Sequence, residues 1–389
     1  MRAQEHKGQG ENGGKMENSK VYYTDFRTTA NENLLQKLRR LCVTAGMKDI
    51  DFTDRYAAIK IHFGEYGNLA FLRPNYAKVV ADLVKEQGGK AFLTDCNTLY
   101  VGSRKNALDH MDTAYANGFS PFSTGCHVII ADGLKGTDEA LVPIDGEYVK
   151  EAKIGQAVMD ADVFISLTHF KGHEATGFGG ALKNIGMGCG SRAGKMEMHN
   201  QGKPAVTQSL CVGCGACKKI CAHDAPVIEN GKAVIDLDKC VGCGRCIGAC
   251  PKDAVHPTQG NSNDVLNYKI AEYTKAVCAG RPCFHISLIC DVSPNCDCHA
   301  ENDVPIIPSV GMLASFDPVA LDVACADLCN RQPMLENHSV LHENCMAHRE
   351  EAEKQDYFHM THPDTNWKSC IEHAVKIGLG SDKYELIEI

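Results

Sequence analysis

The sequence has no long hydrophobic run. No apolar stretch approaches the ~18–20 residues that a membrane-spanning helix needs. The first 20 residues are polar and Gly-rich and lack the apolar core of a secretory signal. Basic runs are missing too: the formal net charge is −9, and a sequence-independent grip on nucleic acid needs clustered Lys and Arg. These absences set aside membrane, exported and nucleic-acid-binding classes, and the chain reads as cytoplasmic. Its 44% apolar and 23% charged content is ordinary for a soluble globular protein. At 389 residues it is long enough for two domains, since a domain runs about 100–150 residues. Residues 1–20 read as a disordered leader, with Met16 an alternative start.

Cysteine is what the chain has in excess, with 21 of them. In a small secreted protein that count would mean disulfides, but nothing here points to export. Burial as structural thiols suits Cys42, Cys325 and Cys329, which lie in apolar, helix-like stretches. It does not suit the tight clusters. Cys211-Val-Gly-Cys214-Gly-Ala-Cys217-Lys-Lys-Ile-Cys221 is repeated as Cys240-Val-Gly-Cys243-Gly-Arg-Cys246-Ile-Gly-Ala-Cys250-Pro251. Both follow C-x2-C-x2-C-x3-C, the spacing of bacterial two-cluster ferredoxins. The short gaps let three thiolates wrap one face of a cubane, and Gly213, Gly215, Gly242 and Gly244 permit the tight backbone path. In this pattern the fourth Cys of each run serves the other cluster. One [4Fe–4S] cluster is thus expected on Cys211, Cys214, Cys217 and Cys250, and the other on Cys240, Cys243, Cys246 and Cys221. Ala222 stands where the first run would carry Pro, which removes no ligand. The competing reading is a zinc site or plain structural thiols.

Around these runs, hydrophobic periodicity alternates strand and helix. Strands are expected over Val21–Phe26, Ala57–Phe63, Ala91–Thr94, His127–Ala131, Asp162–Leu167, Cys283–Cys290 and Tyr384–Ile389. Helices are expected over Asn31–Ala45, Asn75–Gln87, Asn106–Asn117, Lys153–Met159, Asp264–Cys278, Pro318–Asn330 and Asn366–Ile377, with Asp317 as N-cap of the helix that Pro318 opens. From Thr176 to about Pro204 the chain is Gly-rich and polar. The fold class expected is α/β: a mostly parallel layered sheet with an inserted α+β module of the bacterial two-cluster ferredoxin type. The boundaries are 21–205 and 259–389 for the two parts of the α/β domain and 206–258 for the module.

A second group of polar residues follows expected strands, and the carboxyl ends of parallel strands are where ligands usually bind. His169 and His173 lie just after one such strand. Lys183 follows in a Gly-rich loop that lacks the Gly-Lys-Ser/Thr ending of a phosphate loop; a bare anion or cofactor nest remains open. After another strand, Cys290, Cys296, Cys298 and His299 place three thiols and an imidazole within ten residues, a donor set for a metal or a further redox centre, or else a loop with incidental thiols. His169, His173 and Lys183 are the candidate catalytic residues.

His169-x3-His173 leading to Gly-Gly-Ala-Leu-Lys-Asn, then Cys296-Asp-Cys298-His299, Pro305-Ile-Ile-Pro-Ser-Val-Gly and Ser315-Phe-Asp317-Pro-Val-Ala-Leu-Asp322, resemble the domain-of-unknown-function family 362. That family includes uncharacterised iron–sulfur centre proteins with the same ferredoxin insertion. The resemblance implies an α/β body carrying a two-cluster module and an oxygen-sensitive setting; it implies no substrate. Together these readings point to an iron–sulfur oxidoreductase that takes electrons from a redox partner protein and passes them to a metal or small cofactor in the α/β domain. A non-enzymatic electron carrier or docking protein, and a metal- or cofactor-assembly factor, are the rival readings.

Overall fold

The computed structural model describes residues 18–100, 102–200, 203–240, 242, 244–257, 263–347 and 356–389. Eight strands form one sheet: β1 (Ser19–Asp25), β2 (Tyr56–Lys60), β3 (Lys90–Asp95), β4 (His127–Ile130), β5 (Val163–His169), β6 (Cys283–Ile289), β7 (Gly311–Ser315) and β8 (Tyr384–Glu388). Their order is β8-β1-β7-β6-β5-β2-β3-β4. All run parallel except β7, which is antiparallel to both neighbours. Every residue of β5 is buried, as a central strand covered on both faces requires. Edge strand β4 alternates exposed and buried positions.

Helices cover both faces. On one lie α1 (Leu34–Thr44) and α2 (Pro74–Glu86), whose Leu38, Leu41, Val80 and Leu83 pack on Ile59, Ile165 and Phe284. The other face carries α3 (Ala181–Cys189), α4 (Arg192–Asn200), α5 (Asn263–Cys278), α6 (Pro318–Asn330) and α7 (Trp367–Lys376). Leu182, Ile185, Ile270, Leu321 and Ile371 meet there in one core. Asp317 caps α6 as expected, its Oδ1 accepting from the Val319 and Ala320 amides at 2.9 and 3.0 Å.

Three stretches differ from the sequence expectations. Glu151–Gly155 is a strand paired with Glu139–Pro143, and only Gln156–Met159 is helical; Ala152 and Ile154 are buried on one face of that hairpin. The Gly-rich stretch after Thr176 contains α3 and α4. Its glycines there serve contact: a Cβ on Gly186 would sit 2.2 Å from the Ile270 carbonyl oxygen, so α3 and α5 cross with backbone against backbone. Strand β7 was not expected at all, being five buried residues without alternation.

After α4 the chain forms a small unit before returning at α5. It contains the hairpin Pro226–Glu229/Lys232–Ile235, the pair Pro204–Val206/Val255–Pro257, and short helices Ala216–Ile220 and Arg245–Ala249. The unit sits on α4. A Cβ on Gly248 would lie 2.7 Å from Arg192 Nη1, and one on Gly244 2.8 Å from Arg192 Cγ and 3.1 Å from Met196 Cγ. Leu99 and Met196 share an apolar cluster with Cys211, Cys217 and Ile247, and Lys105 pairs with Asp253.

Strand order reverses between β2 and β5: β2 leads through α2 to β3 on one side, whereas β5 is bordered by β6 on the other. A crevice outside the carboxyl ends is expected at such a point. Its floor is a buried ion pair. Lys60, the last residue of β2 and 1% exposed, lies 3.0 Å from Asp95 at the end of β3 and donates to Asn184 Oδ1 of α3 at 2.8 Å. Removing one partner of such a pair strands the other charge. Lys60→Met is expected to cost about 3–5 kcal/mol in urea denaturation, with much of the loss recovered in a Lys60→Met/Asp95→Leu double variant.

Candidate functional site

In the small unit, Cys211, Cys214, Cys217 and Cys250 line one depression, which encloses about 320 Å3 of empty space partly open to solvent. Three of these thiols belong to the first run and the fourth to the second. Gly213, Gly215, Gly242 and Gly244 have φ of 65°, 73°, 77° and 67°, the left-handed region that glycine enters without a Cβ penalty. Gly213 also lies so close to the hairpin turn that a Cβ would come within 2.2 Å of the Gly231 carbonyl oxygen. The Ala233 amide donates to Cys211 Sγ at 3.2 Å. With the Gly213 amide, it holds the Cys211 thiol below its ordinary 9.0. Four thiols around one space, with amide N–H groups aimed at sulfur, suit a cluster or a tetrahedral metal ion. Cys221, Cys240 and Cys246 are each partly buried, and Lys203 Nζ donates to the Cys240 carbonyl at 2.7 Å. Cys243 lies outside the described residues.

The second constellation occupies the crevice. β5 ends at His169, whose Nδ1 is 2.9 and 3.0 Å from the two carboxylate oxygens of Asp297. Its Nε2 donates to the Cys290 carbonyl at 2.7 Å. Lys171 Nζ donates to the His169 carbonyl at 3.0 Å and stands 3.6 Å from Asp297. Burial alone would push the Asp297 carboxyl up; the His169 and Lys171 charges outweigh it and hold the group well below the usual carboxylate range. His169 is therefore a strut between β5 and the loop after β6. Gly172 completes that seam: its amide donates to Ser293 at 2.9 Å, and a Cβ there would strike the Pro294 carbonyl at 2.2 Å.

The strut fixes the two cysteines that flank Asp297. The thiol sulfurs of Cys296 and Cys298 and a ring nitrogen of His173 all lie within 4.8 Å of one another, as do donor atoms of Glu174, Cys298 and His299. Lys183, from the first turn of α3, puts Nζ 2.9 Å from Cys296 Sγ. His173 sits in the hairpin Lys171–His173/Gly177–Gly179. Its Nδ1 accepts from the Ala175 and Thr176 amides at 3.0 and 3.1 Å, which assigns the ring proton to Nε2. Cys296 is drawn well below its ordinary 9.0: the Cys298 thiol donates to it, and that bond with the Lys183 charge outweighs burial. Cys298 moves the other way, because it is the donor in the same bond.

Cys296 is 1% exposed, whereas Cys298 and His299 are partly exposed and Glu174 is exposed, so the crevice opens on that side. His299 Nε2 lies 3.0 Å from Glu174 Oε1. Tyr100 reaches the crevice from the loop after β3; its hydroxyl is 3.2 Å from His199 Nδ1 and the two rings meet edge to face at 5.5 Å. Leu99 and Met196, which pack against the small unit, are on the same two segments.

Of the expected residues, His173, Lys183, Cys296, Cys298 and His299 come together. His169 is adjacent but has both nitrogens engaged, and the Cys290 thiol stands apart, pushed up to about 12 by burial. The expected anion nest at the start of α3 is taken: the Ala181 and Leu182 amides donate to Asp322 at 2.6 and 2.9 Å. Glu174 and Tyr100 were missed, and His199 reads in the sequence as a lone, structural histidine. Only Glu174 had a signal in the sequence, its place beside His173.

Residues 57–327 match the family described as "Domain of unknown function (DUF362)". The chain belongs to that family. No curated protein matches. Among solved structures, the DUF362 chain is similar to the lactate racemase apoprotein of Thermoanaerobacterium thermosaccharolyticum at 10% identity and a TM-score of 0.38, covering 65% of this chain and 49% of that one. A Thermotoga maritima protein matches at 13% identity and a TM-score of 0.38, over 78% of this chain and 59% of the other. The chain thus spans about half to three-fifths of the length of these structures, and likeness at that level carries no chemistry across.

The Glu174 hydrogen bond raises the His299 imidazole above its ordinary 6.5. Glu174→Gln is expected to bring the His299 titration midpoint back down towards 6.5, measured by histidine NMR across pH 5–9. An unmoved midpoint would mean that the pair does not form.

Proposed function

We propose that this DUF362 chain is an iron–sulfur redox protein. Its small unit would hold two [4Fe–4S] clusters, on Cys211, Cys214, Cys217 and Cys250 and on Cys240, Cys243, Cys246 and Cys221. The observation that carries the reading is the shared depression of Cys211, Cys214, Cys217 and Cys250: the far cysteine of the second run joins the first run's three, the crossed pattern of two-cluster ferredoxins. Left-handed glycines and an amide bonded to Cys211 Sγ supply the backbone such a site needs. Bound there, the clusters would supply one-electron transfer. The residues of the body then have a defined task. Gly244 and Gly248 seat the unit on α4, and Tyr100 and His199 lie between that seat and the crevice where Lys183 and Cys296 meet. A redox partner protein would deliver electrons at the exposed face of the unit, where Cys214 and Val212 reach solvent. The crevice is the receiving end, which makes the protein an oxidoreductase rather than a simple carrier.

Anaerobic purification with iron and sulfide analysis is the direct test. About eight irons and eight sulfides per chain are expected, with two reducible signals in electron paramagnetic resonance. Cys250→Ser should lose about half of the iron, because one cluster depends on that single crossed ligand. Stoichiometric zinc in place of iron, or full iron retention in the variant, would overturn the assignment.

A further inference from the structure

The crevice gathers two thiols, two imidazoles and a carboxylate around the Lys183 ammonium. Its donor set is poorly suited to a cation. His173 carries its proton on Nε2, because Nδ1 accepts two amide bonds, and a protonated ring nitrogen has no lone pair to give a metal. The Lys183 ammonium lies 2.9 Å from Cys296 Sγ, in the space a metal bound to that sulfur would share. Lys171, also buried, stands behind Asp297 at 3.6 Å. What this arrangement favours is negative charge on sulfur.

The two thiols are also placed for each other. Cys296 and Cys298 are separated by one residue, Asp297, whose side chain is clamped by His169 and Lys171 and whose carbonyl accepts from the Glu65 amide at 2.9 Å. The Cys296 carbonyl accepts from the His299 amide at 3.0 Å, which turns the chain so that both thiols face one side, within 4.8 Å of each other. Cys296 is buried beside a cation, while Cys298 is a partly exposed residue on the open side of the crevice. That division of access and charge is the one thiol–disulfide exchange uses.

We propose that Cys296 and Cys298 form a dithiol–disulfide couple that exchanges with disulfide substrates, with Lys183 and His173 placed to hold charge on Cys296. In the exchange, Cys298 gives its proton to Cys296 as its sulfur attacks the substrate disulfide, forming a mixed disulfide and releasing one substrate thiolate. That thiolate takes the proton back from Cys296. The Cys296 thiolate then attacks the Cys298 sulfur, breaking the mixed disulfide, and the second substrate sulfur leaves as a thiolate and is protonated from water. The substrate disulfide is reduced by two electrons and the Cys296–Cys298 pair is oxidised by two. Returning the pair to the Cys298 thiol and Cys296 thiolate takes two electrons, delivered one at a time by an iron–sulfur donor, and one proton from water; this return step alone rests on the function proposed above.

The test uses the full chain, purified anaerobically, with oxidised glutathione as the disulfide probe. After treatment, remaining thiols are alkylated and peptides are mapped by mass spectrometry without reduction. An internal Cys296–Cys298 disulfide is expected in most chains, and Cys298→Ser should abolish it with cluster iron and circular dichroism unchanged. Lys183→Met should slow its formation about tenfold, the effect of losing one charge beside a thiolate, while Lys183→Arg should restore it. Illumination with deazaflavin, a one-electron donor, should then return two alkylatable thiols in wild type and fewer in Cys250→Ser. A glutathione adduct that persists on Cys298 with no internal disulfide would overturn the couple. So would one zinc or iron per chain, beyond the cluster iron, that Cys298→Ser removes. If cluster iron is absent but the internal disulfide forms, the couple stands and the iron–sulfur reading fails.

Discussion

A single buried carboxylate organises the crevice. Asp297 is fully buried, and a carboxylate at that depth persists only when opposite charges and hydrogen bonds compensate for its lost hydration. His169 and Lys171 provide them from the end of β5 and the turn after it. The result ties the loop after β6 to β5 by electrostatics, with Gly172 allowing the backbones to touch. Cys296 and Cys298 inherit their positions from the residue between them.

Charge also decides what the Gly-rich segment does. Glycines followed by a helix invite comparison with anion-binding loops, where free amides point at a phosphate. Here the Asp322 carboxyl of α6, pushed up to about 7 by burial, accepts from those amides and leaves none for a phosphate. Lys183 is released from any phosphate and turns to the Cys296 sulfur. A segment that looks in composition like a nucleotide loop is, in three dimensions, a brace that sets Lys183 against the Cys296 sulfur.

Much of this was legible in the sequence, for physical reasons. Strand β5 announced itself as a continuous apolar run, helix α2 by its period, and the paired cysteine runs by spacing. Asp317 and Pro318 marked a helix start that the structure keeps, with Asp317 as N-cap and Pro318 in the first turn. The failures are equally specific. Glu151–Gly155 has five residues, too few for the helical and alternating patterns to separate. The glycines of α3 argued against helix because propensity cannot register the close crossing with α5 that requires them. His169 and Cys290 were grouped with the reactive residues on the strength of their chemistry, yet tertiary partners make one a strut and the other an isolated thiol. Glu174, Tyr100 and His199 come from separate segments, and only the folded crevice joins them.

The seat of the small unit has a consequence for how such a protein can change over generations. Gly244 and Gly248 meet Arg192 with no side chain of their own, so any adjustment of the fit falls to Arg192, whose guanidinium donates to the Lys135 and Lys105 carbonyls. Most interfaces can drift by trading a larger residue on one side for a smaller one opposite, a methylene at a time. Here that exchange runs through one partner, since the smallest addition at Gly248 would sit 2.7 Å from an Arg192 guanidinium nitrogen and the arginine would have to move. The cysteine-rich unit and the α/β body are in that sense keyed together through one arginine: a larger residue at Gly244 or Gly248 and a new course for the Arg192 side chain have to arrive together.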